Sequence, residues 1–239
     1  MEKYGPETRG IRFQVPWGKH SPVNFRKFHK ASDNINTDED HVLPVLIIKD
    51  PYTWMTSMCR HTYAASWWHD NDKHCPNLVL ITVSEKEKFL NNTNTSDAPE
   101  DMTPTVPASV HYPKESPMPV RHHKSLLHIW KNYYEDYINA TGRFPFIAIR
   151  FEDLLFRTKD IIKTVCDCAG GTMEAQFSFV TESAKKGSSH EGSSGFRSSI
   201  ARYGNATMRR EPYMIEDLNY AKKVLSSSEL MNLFQYKTI

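Results

Sequence analysis

The sequence predicts an α/β domain built on a central parallel sheet flanked by helices, and three observations carry that prediction. Residues 42–48, VLPVLII, form an apolar run without polar alternation, the pattern of a strand covered on both faces. The run stops at Lys49, Asp50 and Pro51, where an N-cap acceptor precedes the residue favoured at the first helical position. Further on, "FPFIAIRFEDLL" and "KDIIKTVCDCAGG" repeat the order strand then helix, and such alternation is what a parallel sheet requires.

The bulk composition excludes several classes. A chain of 239 residues suits one domain, 1–239, with enough length to bury a core. Charged residues make up 24%, hydrophobic residues 39%, and the net charge is +2, the balance of a soluble globular protein without the polycation expected of a nucleic-acid binder. No stretch approaches the roughly 20 apolar residues of a membrane span. The start, "MEKYGPETRG", lacks the charged-then-apolar design of a signal peptide, so no membrane anchor is expected within this chain. Four N-x-[ST] sequons occur, at Asn91, Asn94, Asn139 and Asn205. The four cysteines divide into Cys59 with Cys75 and Cys166 with Cys168. The first two either bridge, in an oxidising compartment, or remain free thiols. The second two, two apart on a helix, do not face each other and read as buried packing thiols.

Taken in order, residues 12–15 read as a short strand, followed by the polar turn "PWGKHSP" with Lys19 and His20, and then by the linker "HKASDNINTDED". After the strand at 42–48, "YTWMTSMCRHTYAASWW" supplies the apolar positions of a helix, and "CPNLVLITV" reads as a further short strand. From 85 to 120 the composition shifts to Asn, Thr, Ser and Asp with six prolines, which reads as a long irregular loop. "SLLHIWKNYYEDYIN" restores helical spacing through Leu126, Leu127, Trp130, Tyr134 and Tyr137, a stripe that belongs in a core. The strand ending at Arg150 leads to a helix closed by Gly170 and Gly171. A Gly/Ser-rich basic stretch, "ESAKKGSSHEGSSGFRSSIARYGN", precedes helical material in "MIEDLNYAKKVLSSSELMNLFQY".

Ligands of open α/β sheets gather beyond the carboxyl ends of the strands, and Lys49 stands there. Ser57 lies about two helical turns beyond Asp50 and so falls on the face of the helix start. An ammonium and a hydroxyl presented together suit a phosphate, although a snorkelling lysine beside a neutral serine is the alternative.

"VLIIKDPYTWMTSMCRHTY" resembles the strand and helix with which sulfotransferases dependent on 3′-phosphoadenosine-5′-phosphosulfate (PAPS) hold the 3′-phosphate of the nucleotide. The resemblance implies Lys49 and Ser57 as its ligands, with Lys49 in place of the usual Arg, which keeps the charge and loses the bidentate fork. "FPFIAIRFEDLL" is similar to the family's strand and following turn; here Glu152 and Asp153 read as turn and cap rather than as a catalytic pair. "WGKHSP" resembles the segment around the family's catalytic base, which implies His20 as general base, with Lys19 adjacent to it instead of two residues before. Lys185, Lys186 and Gly187 are similar to the late basic loop that contacts the nucleotide, with a solvated basic loop as the alternative; Arg197 and Arg202 lie nearby.

The family's Lys-Ser-Gly-Thr-Thr-like loop around the 5′-phosphosulfate has no match in the sequence, and the 16 residues before "WGKH" are too few for that strand, loop and helix. The resemblance therefore implies a sulfotransferase-like fold of the P-loop nucleoside triphosphate hydrolase type, N-terminally incomplete, in a domain whose 85–120 loop faces the acceptor. The function it implies is transfer of a sulfonate from PAPS, without a metal, to a hydroxyl on a carbohydrate. A remnant that binds nucleotide or glycan without transfer is the other reading. A Golgi lumenal or membrane-associated location follows from the family, with the cytoplasm as alternative. "HDNDKHC", with His69, His74 and Cys75, reads as a loop near the acceptor rather than as a zinc site. His122 and His123 read as a solvated helix start, or as a basic patch facing an anionic glycan.

Overall fold

Pro44 divides the first apolar run. It has no N–H to give a ladder, and the strand β1 begins after it, at Val45–Ile48. The Pro44 carbonyl still accepts from Ile147 N at 2.9 Å, which starts the pairing with β5, Ile147–Arg150. The two strands run parallel in the register Val45 with Ile147 through Ile48 with Arg150. The computed structural model describes residues 15–18, 20–27, 39–69, 74–80, 105–114, 116–179, 196–205 and 207–239. Among these, β1 is covered on one face only. Leu46 and Ile48 are buried, while Val45 and Ile47 are 41% and 45% exposed. The expectation of a strand covered on both faces is corrected accordingly.

Helix α1, Pro51–Arg60, starts as the sequence requires: Asp50 Oδ1 accepts from Thr53 N at 3.1 Å, with Pro51 at the first position. It ends at Arg60, earlier than the apolar run suggests, and Cys59 bridges to Cys75. Ala65–Trp67 then forms β2, which pairs antiparallel with β3, Ala108–His111. β3 in turn pairs antiparallel with β4, Val120–His123. Part of the stretch expected to be an irregular loop is therefore sheet, and His122 and His123 lie on a strand instead of a helix start; residues 81–104 lie outside the described residues. In "CPNLVLITV", Val79 makes a single antiparallel bridge to Thr105 between the buried Leu78 and Leu80.

Helix α2, Leu126–Asn139, buries the predicted stripe: Leu126, Leu127, Trp130, Tyr134 and Tyr137 are all in the core. It packs on α1 and donates to the exit of β1, Tyr134 Oη to the Ile47 carbonyl at 3.0 Å and Trp130 Nε1 to the Lys49 carbonyl at 2.8 Å. β5 passes directly into α3, Phe151–Phe156, with Glu152 and Asp153 in the first turn, and Arg150 clamps Asp153 through two bonds of 2.7 Å. α4, Thr158–Cys168, is followed by Gly170 at φ +70°, a conformation open to glycine. On α4 Cys166 is half-buried and Cys168 exposed, so they are not the buried packing thiols expected. α5 spans Phe196–Tyr203, α6 Ile215–Ser226 and α7 Glu229–Leu233. α6 and α7 seal the core through Leu218, Leu225 and Leu230. Residues 12–14 of the expected first strand lie outside the described residues, and Val15 lies in no strand. The architecture is α/β, a small parallel pair with helices beside an antiparallel three-stranded sheet. No helix among the described residues is long and apolar enough to cross a membrane.

Candidate functional site

Lys49 follows the last residue of β1, and its backbone is fixed by the bond from Trp130. Its ammonium donates to Ser57 Oγ at 2.7 Å and to Tyr203 Oη at 2.6 Å. It also sits over two aromatic rings, Tyr203 at 4.5 Å and Phe151 at 5.2 Å from the ring centres. Ser57 is two turns into α1 and gives its own hydrogen to the Thr53 carbonyl at 2.9 Å, leaving its oxygen to accept from Lys49 and, at 3.4 Å, from Arg60. The pair implied by the resemblance is thus brought together. Burial lowers the pKa of Lys49, and the Tyr203 hydroxyl offsets part of that effect. Burial likewise lowers that of Arg60, with the charge of Arg202 acting in the same direction. For Tyr203, burial pulls the pKa up, but the Lys49 ammonium and the hydrogen bonds around the phenol oxygen carry it below the ordinary value.

An open cleft of about 250 Å³ lies beyond the carboxyl ends of β1 and β5, lined among others by Asp50, Glu152, Arg150, Arg209, Tyr203 and Tyr236. The first turns of α1 and α3 meet there, because Asp50 N donates to Glu152 Oε1 at 3.0 Å. Asp50 Oδ2 holds Arg209 at 2.5 Å, and Tyr236 Oη donates to Glu152 Oε2 at 2.8 Å. Burial, and then the Glu152 charge, push the Tyr236 phenol far up, so it stays a donor at any ordinary pH. Glu152 is therefore a brace between two strand ends, which agrees with its reading as part of a turn.

His20 belongs to a turn pinned on α2. Trp17 Nε1 donates to Tyr137 Oη at 3.1 Å, and Tyr137 Oη donates to the Ser21 carbonyl at 3.2 Å. Gly18 turns the chain at φ +107°, where a Cβ would stand 2.6 Å from Ser21 Oγ. The exposed His20 ring lies 5.6 Å from that of Tyr63, in the segment after α1, whereas Lys49 stands before α1. Lys19, Lys185, Lys186 and Gly187 lie outside the described residues. The metal-capable side chains go elsewhere: His69 stacks on Trp67 at 4.2 Å, His74 pairs with the buried Asp217 at 3.0 Å, and Cys75 is in the disulfide. Among the described residues no group of three or more His, Cys, Asp or Glu could hold a metal ion.

No family model, no curated protein and no solved structure matches the chain. What the site can do follows from its own geometry. Tyr203, Arg60 and Arg209 join residues named from the sequence, and spacing gives no sign of Tyr203 or Arg209, which arrive from 154 and 159 residues away. Arg60 carries a signal, three residues after Ser57 on the same helix face.

Proposed function

We propose that this is a sulfotransferase-like domain of the P-loop nucleoside triphosphate hydrolase type that uses PAPS to sulfonate a hydroxyl acceptor, a carbohydrate. The observation that carries the reading is the apposition of Lys49 and Ser57 at 2.7 Å, at the exit of a parallel strand, with no carboxylate of the described residues in an ion pair with the ammonium. A donor-rich, half-buried cluster of this kind fits a phosphate, for which charge and hydrogen bonds act together. PAPS supplies the sulfonate group that is transferred. On the protein side, Lys49 and Ser57 hold the 3′-phosphate, the Lys185, Lys186 and Gly187 segment contacts the same nucleotide, and His20 accepts the proton of the acceptor hydroxyl. The hydrogen bonds that tie Trp17 and Ser21, on either side of His20, to Tyr137 support that role. The exposed Asn139 and Asn205 sequons and the Cys59–Cys75 disulfide support an oxidising lumen such as the Golgi.

Transfer of labelled sulfonate from PAPS to a panel of glycans tests the reading. Activity that drops at least about a hundredfold in His20→Ala supports it; full activity in that variant removes His20 as base, and no transfer to any acceptor removes the enzyme reading. The second reading is a module that binds nucleotide or glycan without transfer, and it is favoured by a Lys49 ammonium already held within the protein by Ser57 and Tyr203. Nucleotide binding without turnover is its expected result.

A further inference from the structure

We propose that Tyr203 and Arg60 complete, with Lys49 and Ser57, a four-residue cradle for a phosphomonoester dianion, to which Tyr203 donates its hydroxyl hydrogen from α5. The inference rests on Lys49 and Ser57 as 3′-phosphate ligands and extends that site to two side chains outside the motif. Lys49 has three N–H donors, of which Ser57 Oγ and Tyr203 Oη take two. A phenol oxygen that accepts from an ammonium turns its own hydrogen away from it, which leaves the Tyr203 O–H for the neighbouring Ser57 oxygen or for a ligand oxygen beside the remaining Lys49 donor. Arg60 adds a guanidinium against the same two oxygens, within hydrogen-bonding reach of Ser57 and interacting with Tyr203.

The charge balance points to the ligand class. Lys49, Arg60 and Arg202 stand close enough for Arg60 to feel both Tyr203 and Arg202, and none of the three forms an ion pair with a carboxylate of the described residues. Partly buried cations in such a group cost folding free energy unless an anion shares the site. A phosphomonoester, with nearly two negative charges at neutral pH and three acceptor oxygens, meets both the charge and the number of donors. Packing fixes the position of the tyrosine, whose ring lies edge-on against Phe151 at 5.1 Å, at the C-terminal end of α5. The lowered pKa of the Tyr203 phenol reflects the same cationic surroundings.

Calorimetry on the full chain tests the cradle, with inorganic phosphate, adenosine 3′,5′-bisphosphate and adenosine 5′-monophosphate as ligands. Tyr203→Phe keeps the ring against Phe151 and removes only the hydroxyl. It is expected to weaken the bisphosphate roughly tenfold, as loss of a hydrogen bond to a charged group does, and to leave the monophosphate unchanged. Arg60→Gln is expected to weaken the bisphosphate by about fivefold or more. Bisphosphate affinity within twofold of the parent in Tyr203→Phe overturns the inference. Inorganic phosphate binding that depends on Tyr203, without preference for the bisphosphate over the monophosphate, upholds the cradle and removes the PAPS reading. Absence of any binding by phosphate and bisphosphate overturns both.

Discussion

Replacing Lys49 by Met separates a side chain kept for binding from one kept for folding. Met has similar length and flexibility and carries no charge. The change removes hydrogen bonds to Ser57 and Tyr203, each about 1 kcal/mol, and contacts over two rings, together about 1 kcal/mol. Against that loss of about 3 kcal/mol stands the relief of an ammonium withdrawn from water with no carboxylate ion-paired to it among the described residues, which is about 4 kcal/mol. The net is a gain of about 1 kcal/mol and a rise in Tm of about 2–4 °C for a chain of this size. The pH dependence has a definite sign. The pKa of Lys49 is lower in the fold than in the unfolded chain, so its charge penalises folding at neutral pH. The penalty is released as the pH rises toward the unfolded value of 10.5, and the advantage of the Met variant should shrink over that range. Tyr203, whose pKa is also lowered, stabilises the parent in the same alkaline direction. Scanning calorimetry at pH 7 and above, with bisphosphate binding measured alongside, reads all of this. A Tm that falls by several degrees while binding is unchanged would refute the assignment, because Lys49 would then be a structural residue.

Three further outcomes are expected. Asp217→Ala removes the buried partner of His74 and of the Leu78 N–H, which donates to Asp217 Oδ1 at 2.7 Å, and should cost about 3–5 kcal/mol in denaturant unfolding; a loss under 1 kcal/mol contradicts a structural role for Asp217. Cys75→Ser opens a loop with a sequence separation of 16 and should cost about 3 kcal/mol by loop-closure entropy, checked by thermal melts with and without reductant. His123 and His128 are each pushed down to about 4, by burial first and then by neighbouring cations, so both fold as neutral rings. Their contribution is complete above the unfolded value of 6.5 and is lost as the pH falls toward 4. Tm should drop across that window, and less steeply in a His123→Asn, His128→Asn double variant.

The parts legible in the sequence are those whose cause is local. Asp50 and Pro51 start α1 through a bond three residues long, the Leu126 to Tyr137 stripe is a single helix face, and Arg150 ends a strand that turns directly into α3. The unread parts depend on distant partners. β2, β3 and β4 are strands of three and four residues, and Ala65, Ala108 and the two histidines of β4 gain their conformation from pairing across the chain rather than from propensity. Pro44 is plain in the sequence, and its missing N–H explains why β1 is shorter than the apolar run. Lys49 with Ser57 is legible because both sit on one strand-helix unit. Tyr203 is not, since it closes a Ser/Gly-rich segment with no apolar period to place it. The contact of His20 with Tyr63 lies beyond spacing for the same reason.

The most direct measurement of the central claim is the affinity of the chain for adenosine 3′,5′-bisphosphate against adenosine 5′-monophosphate, in the parent and in Lys49→Ala. If Lys49 and Ser57 hold a 3′-phosphate, the bisphosphate binds at least about tenfold tighter in the parent and the difference vanishes in the variant. Equal affinity for the two nucleotides in the parent contradicts it.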